Sequence, residues 1–328
     1  MKKNYRVIAF LVLIGVVVMW GLAPVASKAI FNAEDPAYSP GMLIALRGLF
    51  AVIAIAAFIN KGFKKINKSY LLTAIPAGII LALAYIFQFT GLKYTAPSKN
   101  AFLENISCIT IPIFMFIFVR EKPAWSSIVA ALVCVVGSIF LIGNGFEILH
   151  FFDNVTFLGD GFSAIGGLFF GLDIAFTKVY CKDKDPLLYV FLQLCVLTVV
   201  CFAHSFIFEG AIFHTIAFSM NWVSIAEVLF LGVVCTALCW VARAWAMKYI
   251  DALTVSLLVP LSAVVATTLS ITFGMEEFTY NLLIGGLIIL LSIAVSAIFD
   301  YRKECQTHTT NNEQTNTEEV ISDESHQS

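Results

Sequence analysis

The sequence predicts an all-α integral membrane protein with ten transmembrane helices, arranged as two inverted five-helix repeats. The first observation is composition: of 328 residues, 59% are apolar and 13% are charged, whereas soluble domains are about half apolar and a quarter charged. Ten crossings of about 20 residues each would need about 200 apolar residues. The composition excludes a soluble enzyme and a disordered chain, and a net charge of -2 offers no basic face for a nucleic acid.

Apolar stretches along the chain supply the ten predicted helices. They cover residues 7–31, 40–59, 71–92, 98–119, 125–142, 158–180, 186–208, 223–247, 252–274 and 280–299. The first follows Lys2, Lys3 and Arg6, but it is too long for the apolar region of a signal peptide and is expected to remain as a helix. The connections are too short for a folded soluble domain. Residues 301–328 are rich in Thr, Asn, Gln, Glu and Ser, which predicts a disordered cytoplasmic tail.

The distribution of lysine and arginine predicts the orientation in the membrane. These residues occur at the amino end and after the second, fourth, sixth and tenth stretches, whereas the segments 32–39, 143–157, 209–222 and 275–279 contain none. Cytoplasmic connections carry the excess of lysine and arginine. Both termini are therefore expected in the cytoplasm, which requires an even number of crossings. Lys93 and Lys99 are the exception, because they fall on the external side.

Self-similarity divides the chain into a first half, residues 1–145, and a second half, residues 155–300. A shift of 155 residues places Lys93-Tyr94 on Lys248-Tyr249 and Glu121 on Glu276, so that lysine and glutamate are 28 residues apart in both halves. A shift of 150 residues likewise aligns Gly21 with Gly171, Lys28 with Lys178 and Trp20 with Phe170. This preserved spacing indicates a duplicated unit.

Five crossings in each half mean that the second half enters the membrane from the opposite side. Inverted repeats of this kind are typical of secondary transporters, with the substrate site near the midplane between the halves. The sequence contains no G-x-x-x-x-G-K-[ST] phosphate loop, so the chain by itself is not expected to be a nucleotide-driven pump.

Several short motifs give the chain a family resemblance. They are Trp20-Gly21, Pro24 and Ser27-Lys28 in the first stretch, Arg47 in the second, Leu92 to Ala96, Pro112, Arg120-Glu121, Ala252-Leu253-Thr254, Pro260 and Gly274 to Glu277. Over residues 7–299 the chain resembles EamA-type transporters of the drug/metabolite transporter superfamily. The resemblance implies a bacterial inner-membrane carrier of small metabolites with a central cavity. One departure is that Thr267 stands in the ninth stretch where the fourth has Pro112.

Polar side chains inside the predicted helices indicate where a substrate would bind, because an ionisable group in the membrane is costly and is therefore a functional candidate. Helical spacing places Asn100, Glu104 and Ser107 on one face, Gly78, Tyr85 and Gln88 on a second, and Thr236, Trp240 and Arg243 on a third. The 155-residue shift aligns Tyr85 with Trp240 and Gln88 with Arg243. The predicted substrate-binding residues are Tyr85, Gln88, Asn100, Glu104, Ser107, Trp240 and Arg243. Glu104 is expected to pair with Arg243 or to accept a substrate amine; the alternative is a structural pair and lipid-facing aromatic rings.

Other residues are candidates for coupling and access. Proton coupling through Glu104 or Asp173 is possible, and Asp173 has only Ala23 opposite it in the repeat. Trp20, Lys28, Arg47 and Lys99 are candidates for gating or entrance. For these a structural alternative also stands, since lysine often extends along apolar surface to the interface.

No cofactor, metal site or nucleic-acid partner is predicted. Seven of the eight cysteines fall in or beside apolar stretches and are expected to be small buried side chains. Gly167 and Gly171 form a G-x-x-x-G step that favours close packing within the bundle, so a monomer or weak homodimer is expected. The favoured function is a secondary carrier of an amino-acid-like or drug-like metabolite, with export favoured over import. An integral membrane enzyme and a non-transporting membrane sensor are the alternatives.

Overall fold

The computed structural model is helical over most of the chain that it describes. The described residues are 2–32, 37–120, 125–142, 157–219, 221–250, 254–255, 258–280, 283–288, 291–292 and 295. The predicted tail, residues 301–328, and half of the residues of the predicted tenth helix lie outside this set.

Eleven α-helices are numbered here in chain order. They are α1 Lys2–Phe31, α2 Pro40–Ile59, α3 Lys68–Tyr94, α4 Pro97–Leu103, α5 Ser107–Val119, α6 Trp125–Ile142, α7 Phe157–Tyr180, α8 Pro186–His204, α9 Trp222–Leu229, α10 Cys239–Ala246 and α11 Pro260–Thr272. Two 3₁₀ segments, Asn60–Lys65 and Glu104–Ile106, and two π-helical segments, Ser205–Ile212 and Phe230–Leu238, connect or extend them. Residues 283–288 are also helical.

Seven of the helical stretches are long and apolar enough to cross a membrane, so the chain is a helical membrane protein. They are Tyr5–Phe31, Pro40–Ile59, Lys68–Tyr94, Pro97–Val119, Leu158–Tyr180, Pro186–Ile212 and Trp222–Ala246. Each coincides with one of the predicted helices to within a few residues. The predicted fifth helix is present as α6, and the ninth is described over the 13 residues of α11.

Local sequence explains where the helices begin. Pro40, Pro97, Pro186 and Pro260 each occupy the first helical position, where the fixed φ of proline suits the helix and its missing N–H costs nothing. At the start of α3, the side chain of Asn67 caps the helix by accepting a hydrogen bond from the Tyr70 amide at 3.2 Å. Such caps satisfy amide groups that the helix itself leaves without partners.

The predicted fourth helix is interrupted close to its middle. The 3₁₀ turn Glu104–Ile106 separates α4 from α5, so Asn100 and Glu104 lie on different segments. The turn packs against α7, where a Cβ atom on Gly167 would approach the Cα of Glu104 to 2.9 Å. The G-x-x-x-G step therefore serves packing within the chain, and the absence of a side chain at Gly167 allows the backbone of Glu104 to approach α7 closely.

Helices from the two halves pack against each other in the interior. α3 contacts α7 and α8, α2 contacts α8 and the second π-helical segment, and α1 contacts α10 and α11. The largest buried apolar cluster includes Leu43 and Leu81 from the first half and Tyr189 and Leu194 from the second. The interface between the halves is thus the core of the protein.

Candidate central cavity

A small buried cavity lies between the two halves, with a volume of about 30 Å³. This is room for one or two water molecules. The first half contributes Trp20, Ala23, Pro24, Arg47, Tyr85, Gln88, Phe89, Glu104 and Ser107, and the second contributes Phe170, Ile174, Trp240 and Val259. All the charged and amide groups of the lining come from the first half, whereas the second half supplies apolar and aromatic surface.

Aromatic rings form most of the wall of the cavity. The indole Nε1–H of Trp240 donates to the Tyr85 hydroxyl at 2.8 Å. The ring of Trp240 also lies 5.4 Å from Trp20 and 6.4 Å from Phe170. Trp240 and Tyr85 are buried, so the two residues that the repeat aligns meet directly across the cavity.

Arg47 connects α2 of the first half to the second half. Its Nε–H donates to the Thr236 hydroxyl, and the guanidinium carbon lies 5.0 Å from the centre of the Tyr85 ring and 5.5 Å from that of Phe89. Positive charge over an aromatic face is favourable. Thr236 lies in the π-helical segment Phe230–Leu238, and irregular helical turns of this kind often accompany functional sites.

Glu104 and Gln88 form the second polar group of the cavity. The side-chain amide of Gln88 donates to Oε2 of Glu104 at 2.6 Å. The expected pair between Glu104 and Arg243 is wrong, because Arg243 binds another carboxylate. The neighbouring Ser107 is fully buried and also lines the cavity.

Several polar atoms in the cavity wall have no hydrogen-bond partner among the described residues. They are Nε1 of Trp20, Nη1 of Arg47, Oε1 of Gln88 and Oγ of Ser107. Buried polar atoms are nearly always satisfied in folded proteins. Three donor groups and one amide oxygen are therefore available to a bound molecule in a buried space.

Asn100 does not line the cavity, although the sequence predicted that it would. Its side-chain amide donates to the Ser163 hydroxyl at 2.8 Å and to the backbone carbonyl of Gln88 at 3.0 Å. Asn100 thereby ties α4 to α7 and holds the backbone of Gln88. Both contacts direct the side chain away from the cavity, and helical spacing alone does not indicate them.

Arg243 and Asp173 form a buried ion pair behind the cavity wall. Nη2 of Arg243 donates to Oδ2 of Asp173 at 2.8 Å, and both side chains are fully buried. The Gln193 amide donates to the other carboxylate oxygen at 2.5 Å, and the guanidinium lies 4.0 Å from the Trp240 ring centre. Contrary to the sequence prediction, Arg243 does not line the cavity. Its guanidinium group binds Asp173 of the same half instead.

The predicted entrance lysines are engaged at helix ends. Nζ of Lys28 donates to the carbonyl oxygens of Leu92 at 2.9 Å and Lys93 at 3.0 Å. Lys99 forms an ion pair with Asp160 at 2.6 Å. Trp20 and Arg47, by contrast, lie in the cavity wall itself.

Sequence reasoning missed Phe89, which also shapes the site. Phe89 follows Tyr85 by four residues, so helical spacing could have placed it on the same face. Thr236 was predicted on the face of Trp240 and Arg243, but its contact with Arg47 and the π-helical turn that carries it were not. Among the described residues, no group of three or more His, Cys, Asp or Glu side chains could hold a metal ion.

Comparisons with known proteins place the chain among transporters. Two Bacillus subtilis proteins, the uncharacterized transporters YoaV and YvbV, are 23% and 22% identical to it, over 89% and 90% of this chain and 97% and 93% of their own lengths. An uncharacterized transporter of Archaeoglobus fulgidus is 22% identical over 65% of this chain and 71% of its own length. One crystal structure matches with a TM-score of 0.68 at 16% identity, covering 89% of this chain and 98% of that one, which shows the shared fold.

The family assignment rests on two matched segments. The profile of the EamA-like transporter family matches residues 7–143 and again residues 157–298. The two matches begin 150 residues apart, the same shift that aligns Lys28 with Lys178, and together they cover most of the chain. The chain belongs to the EamA-like transporter family.

Proposed function

We propose that this protein is a secondary transporter that carries a small, amino-acid-like or drug-like metabolite through its central cavity by alternating access. The observation that carries the proposal is the set of unsatisfied polar atoms on Trp20, Arg47, Gln88 and Ser107. They occur in a buried space walled by aromatic rings. Small-molecule sites typically combine an apolar, aromatic wall with a few polar groups that fix the orientation of the ligand.

The polar groups favour a substrate that carries both a positive and a negative group. Arg47 offers one guanidinium nitrogen without a partner, which suits a carboxylate or another anionic group. Glu104 and the side-chain oxygen of Gln88 are acceptors for an amine. The rings of Tyr85 and Trp240 would then contact the apolar part of the substrate.

Alternating access requires the cavity to change size. At about 30 Å³ it is much smaller than a metabolite, whereas ligand sites usually occupy hundreds of cubic ångströms. The structure thus represents a closed arrangement in the proposed cycle. Movement of one half against the other would widen the cavity and open it to one side of the membrane.

An inverted repeat supplies the symmetry for such movement, and matching contacts support it. Lys28 binds the carbonyls of Leu92 and Lys93 at the end of α3. Lys178, its counterpart after a shift of 150 residues, binds the carbonyls of Met247 and Ile250 just after α10, at 2.6 Å and 2.5 Å. Equivalent lysines thus cap equivalent helix ends. We propose ten membrane crossings in total, with the tenth in residues 280–299.

Orientation, direction and coupling belong to the same proposal. The distribution of lysine and arginine supports cytoplasmic termini in the bacterial inner membrane, and export is the favoured direction. For proton coupling we favour Glu104 over Asp173, since Glu104 lines the cavity whereas Asp173 is already paired with Arg243. The protein is proposed to act as a monomer or weak homodimer.

Metabolite profiling of cells with and without the gene, followed by uptake into proteoliposomes, tests the proposal. Glu104→Gln and Arg47→Gln should each lower transport about tenfold or more, which is the scale of one lost hydrogen bond to a charged group. Glu277→Gln, at an exposed acid outside the cavity, is the control and should transport normally. Near-normal rates in both cavity variants would contradict the proposed site.

Proton coupling has its own readout in the same vesicles. If Glu104 carries the proton, collapse of the pH gradient should abolish concentrative transport of the substrate by the wild-type protein. Exchange of substrate across the membrane by the Glu104→Gln variant should not depend on the gradient. An unchanged wild-type rate without the gradient would instead indicate facilitated exchange.

A further inference from the structure

Three carboxylates of the second half bind the first half at one face of the protein. Asp160, Glu209 and Glu276 each contact residues next to the beginning of α2 or α4. We call this set of three the acidic clasp, and the face on which it lies the clasp face. None of the three lines the central cavity.

Glu276 binds the first turn of α4. One carboxylate oxygen accepts the backbone N–H of Ser98 at 3.1 Å, and the other accepts the Ser98 hydroxyl. Ser270 of α11 donates to the same carboxylate at 2.8 Å. Gly274, with a φ of +69°, turns the chain after α11, and a positive φ of this kind suits glycine. The turn directs Glu276 back toward the first half.

Glu209 binds the first turn of α2 in the same way. One oxygen accepts the backbone N–H of Gly41 at 2.7 Å, and the other accepts the Ser39 hydroxyl at 2.6 Å. Ser205 adds a third donor at 2.8 Å. The adjacent loops are also joined, since Tyr38 and Phe218 form an isolated β-bridge.

The two contacts share one chemical design. α2 and α4 both begin with a proline, and the next residue donates its free amide to a carboxylate that also accepts a serine hydroxyl. The amino end of a helix carries partial positive charge, so a carboxylate there is stabilising. A carboxylate from the opposite half makes this stabilisation depend on how the halves are arranged.

Asp160 completes the clasp close to the start of α4. Its Oδ1 accepts the Thr95 hydroxyl at 2.8 Å, and its Oδ2 pairs with Lys99 at 2.6 Å. Asp160 is buried and the Lys99 side chain is 17% exposed, so the carboxylate is shielded from water more than the ammonium is. Lys99, a predicted entrance residue, is thus part of a contact between the halves.

We propose that the acidic clasp holds the protein closed at the clasp face, and that its three contacts release together when that face opens. The inference rests on the proposed function, because a closed face matters only if the halves move. The clasp joins the halves through five hydrogen bonds and one ion pair. Opening exposes the amide groups of Gly41 and Ser98 to water at the same time.

Hydrogen–deuterium exchange of the full-length protein in lipid nanodiscs tests this coupling. In Glu276→Gln, we expect amides in residues 97–103 to exchange about tenfold faster, because a hydrogen bond to a charged group is lost. We expect a similar acceleration at residues 39–48, which Glu276 does not contact. Glu277→Gln changes the adjacent, exposed acid and should match the wild type.

The reciprocal variant separates a gate from local support. Glu209→Gln should accelerate exchange at residues 97–103 as well as at 39–48. If each variant affects only the helix that it touches, the clasp is a set of independent structural contacts and the proposal is wrong. If Glu276→Gln does not fold, Ser98→Ala removes one donor to the carboxylate and should give the same distant effect in smaller measure.

Transport measurements distinguish failure of the clasp from failure of the proposed function. If each variant accelerates hydrogen–deuterium exchange at both helices but the wild-type protein does not transport, the clasp proposal stands and the transporter proposal is contradicted. If the wild type transports and each variant changes hydrogen–deuterium exchange only in the helix that it contacts, the transporter proposal stands and the clasp proposal is wrong.

Discussion

The two halves of the protein are alike at their helix ends and different at their centres. Lys28 and Lys178 occupy equivalent positions and make equivalent contacts with backbone carbonyls. At the centre, however, Ala23 and Gln88 of the first half align with Asp173 and Arg243 of the second. The helix-capping contacts are thus retained in both copies, whereas the polar groups in the middle of the bundle have diverged.

This divergence determines which half presents charged groups to the cavity. In the second half the two central charges neutralise each other at 2.8 Å behind Trp240. In the first half Arg47 and Glu104 both reach the cavity. One copy therefore carries a closed internal pair, and the other presents its polar groups at the interface.

The largest expected effect comes from breaking the buried ion pair of the second half. Arg243→Gln alone should destabilise the protein by about 3–5 kcal/mol, because it leaves the Asp173 carboxylate buried without its partner. The double variant Asp173→Ala with Arg243→Gln reproduces the residues of the first half and should recover most of that loss. Thermal unfolding in detergent, followed by tryptophan fluorescence, measures both.

Two results would weaken this comparison. A single variant within about 1 kcal/mol of the wild type would mean that the pair is not structurally important, since breaking a buried pair normally costs more. A double variant no more stable than the single one would mean that the two sites are not interchangeable. Glu277→Gln serves as the exposed control.

A smaller effect is expected from the two equivalent lysines. Lys28→Met and Lys178→Met should each cost about 2 kcal/mol, since each removes charged hydrogen bonds to two carbonyl groups. Lys93→Met is the control, because the Lys93 ammonium contacts the Tyr94 ring at 5.8 Å at an exposed position. The same unfolding assay measures the decrease in the free energy of unfolding for each variant. Unequal decreases at Lys28 and Lys178 would show that contacts of matching geometry contribute different amounts to stability.

The smallest effect is expected from a methyl group added to α7. Gly167→Ala should destabilise by about 1 kcal/mol, because overpacking against the Glu104 backbone outweighs the better helix propensity of alanine. Gly161→Ala, where a Cβ meets nothing within 4 Å, should be neutral or stabilising. Equal stability of the two variants would argue against close packing at the Glu104 turn.

Most of the fold was predictable from hydrophobic stretches, because a bilayer imposes the length and the apolar character of each crossing. The seven apolar helices agree with the predicted boundaries. The family resemblance, which was based on short motifs such as Trp20-Gly21 and Arg120-Glu121, is confirmed by the family profile that matches residues 7–143 and 157–298. Both signals are local in sequence.

The pairing of charges was less accessible to sequence. Asp173 and Arg243 are 70 residues apart, and only the tertiary structure brings their side chains together. Asn100 was expected to line the cavity with Glu104, but its side-chain amide binds the Ser163 hydroxyl and the Gln88 carbonyl. The hydrophobic pattern of a helix does not show which partner a polar side chain will find.

The small volume of the central cavity also limits how much water can enter the part of the protein that lies within the bilayer. Polar groups of Arg47, Gln88, Glu104 and Ser107 lie within the bundle, and a wide channel between them would fill with water and conduct ions. With space for one or two water molecules, the cavity cannot hold a continuous water column. In this conformation the polar groups of the central cavity are therefore not joined by a water-filled channel through the cavity.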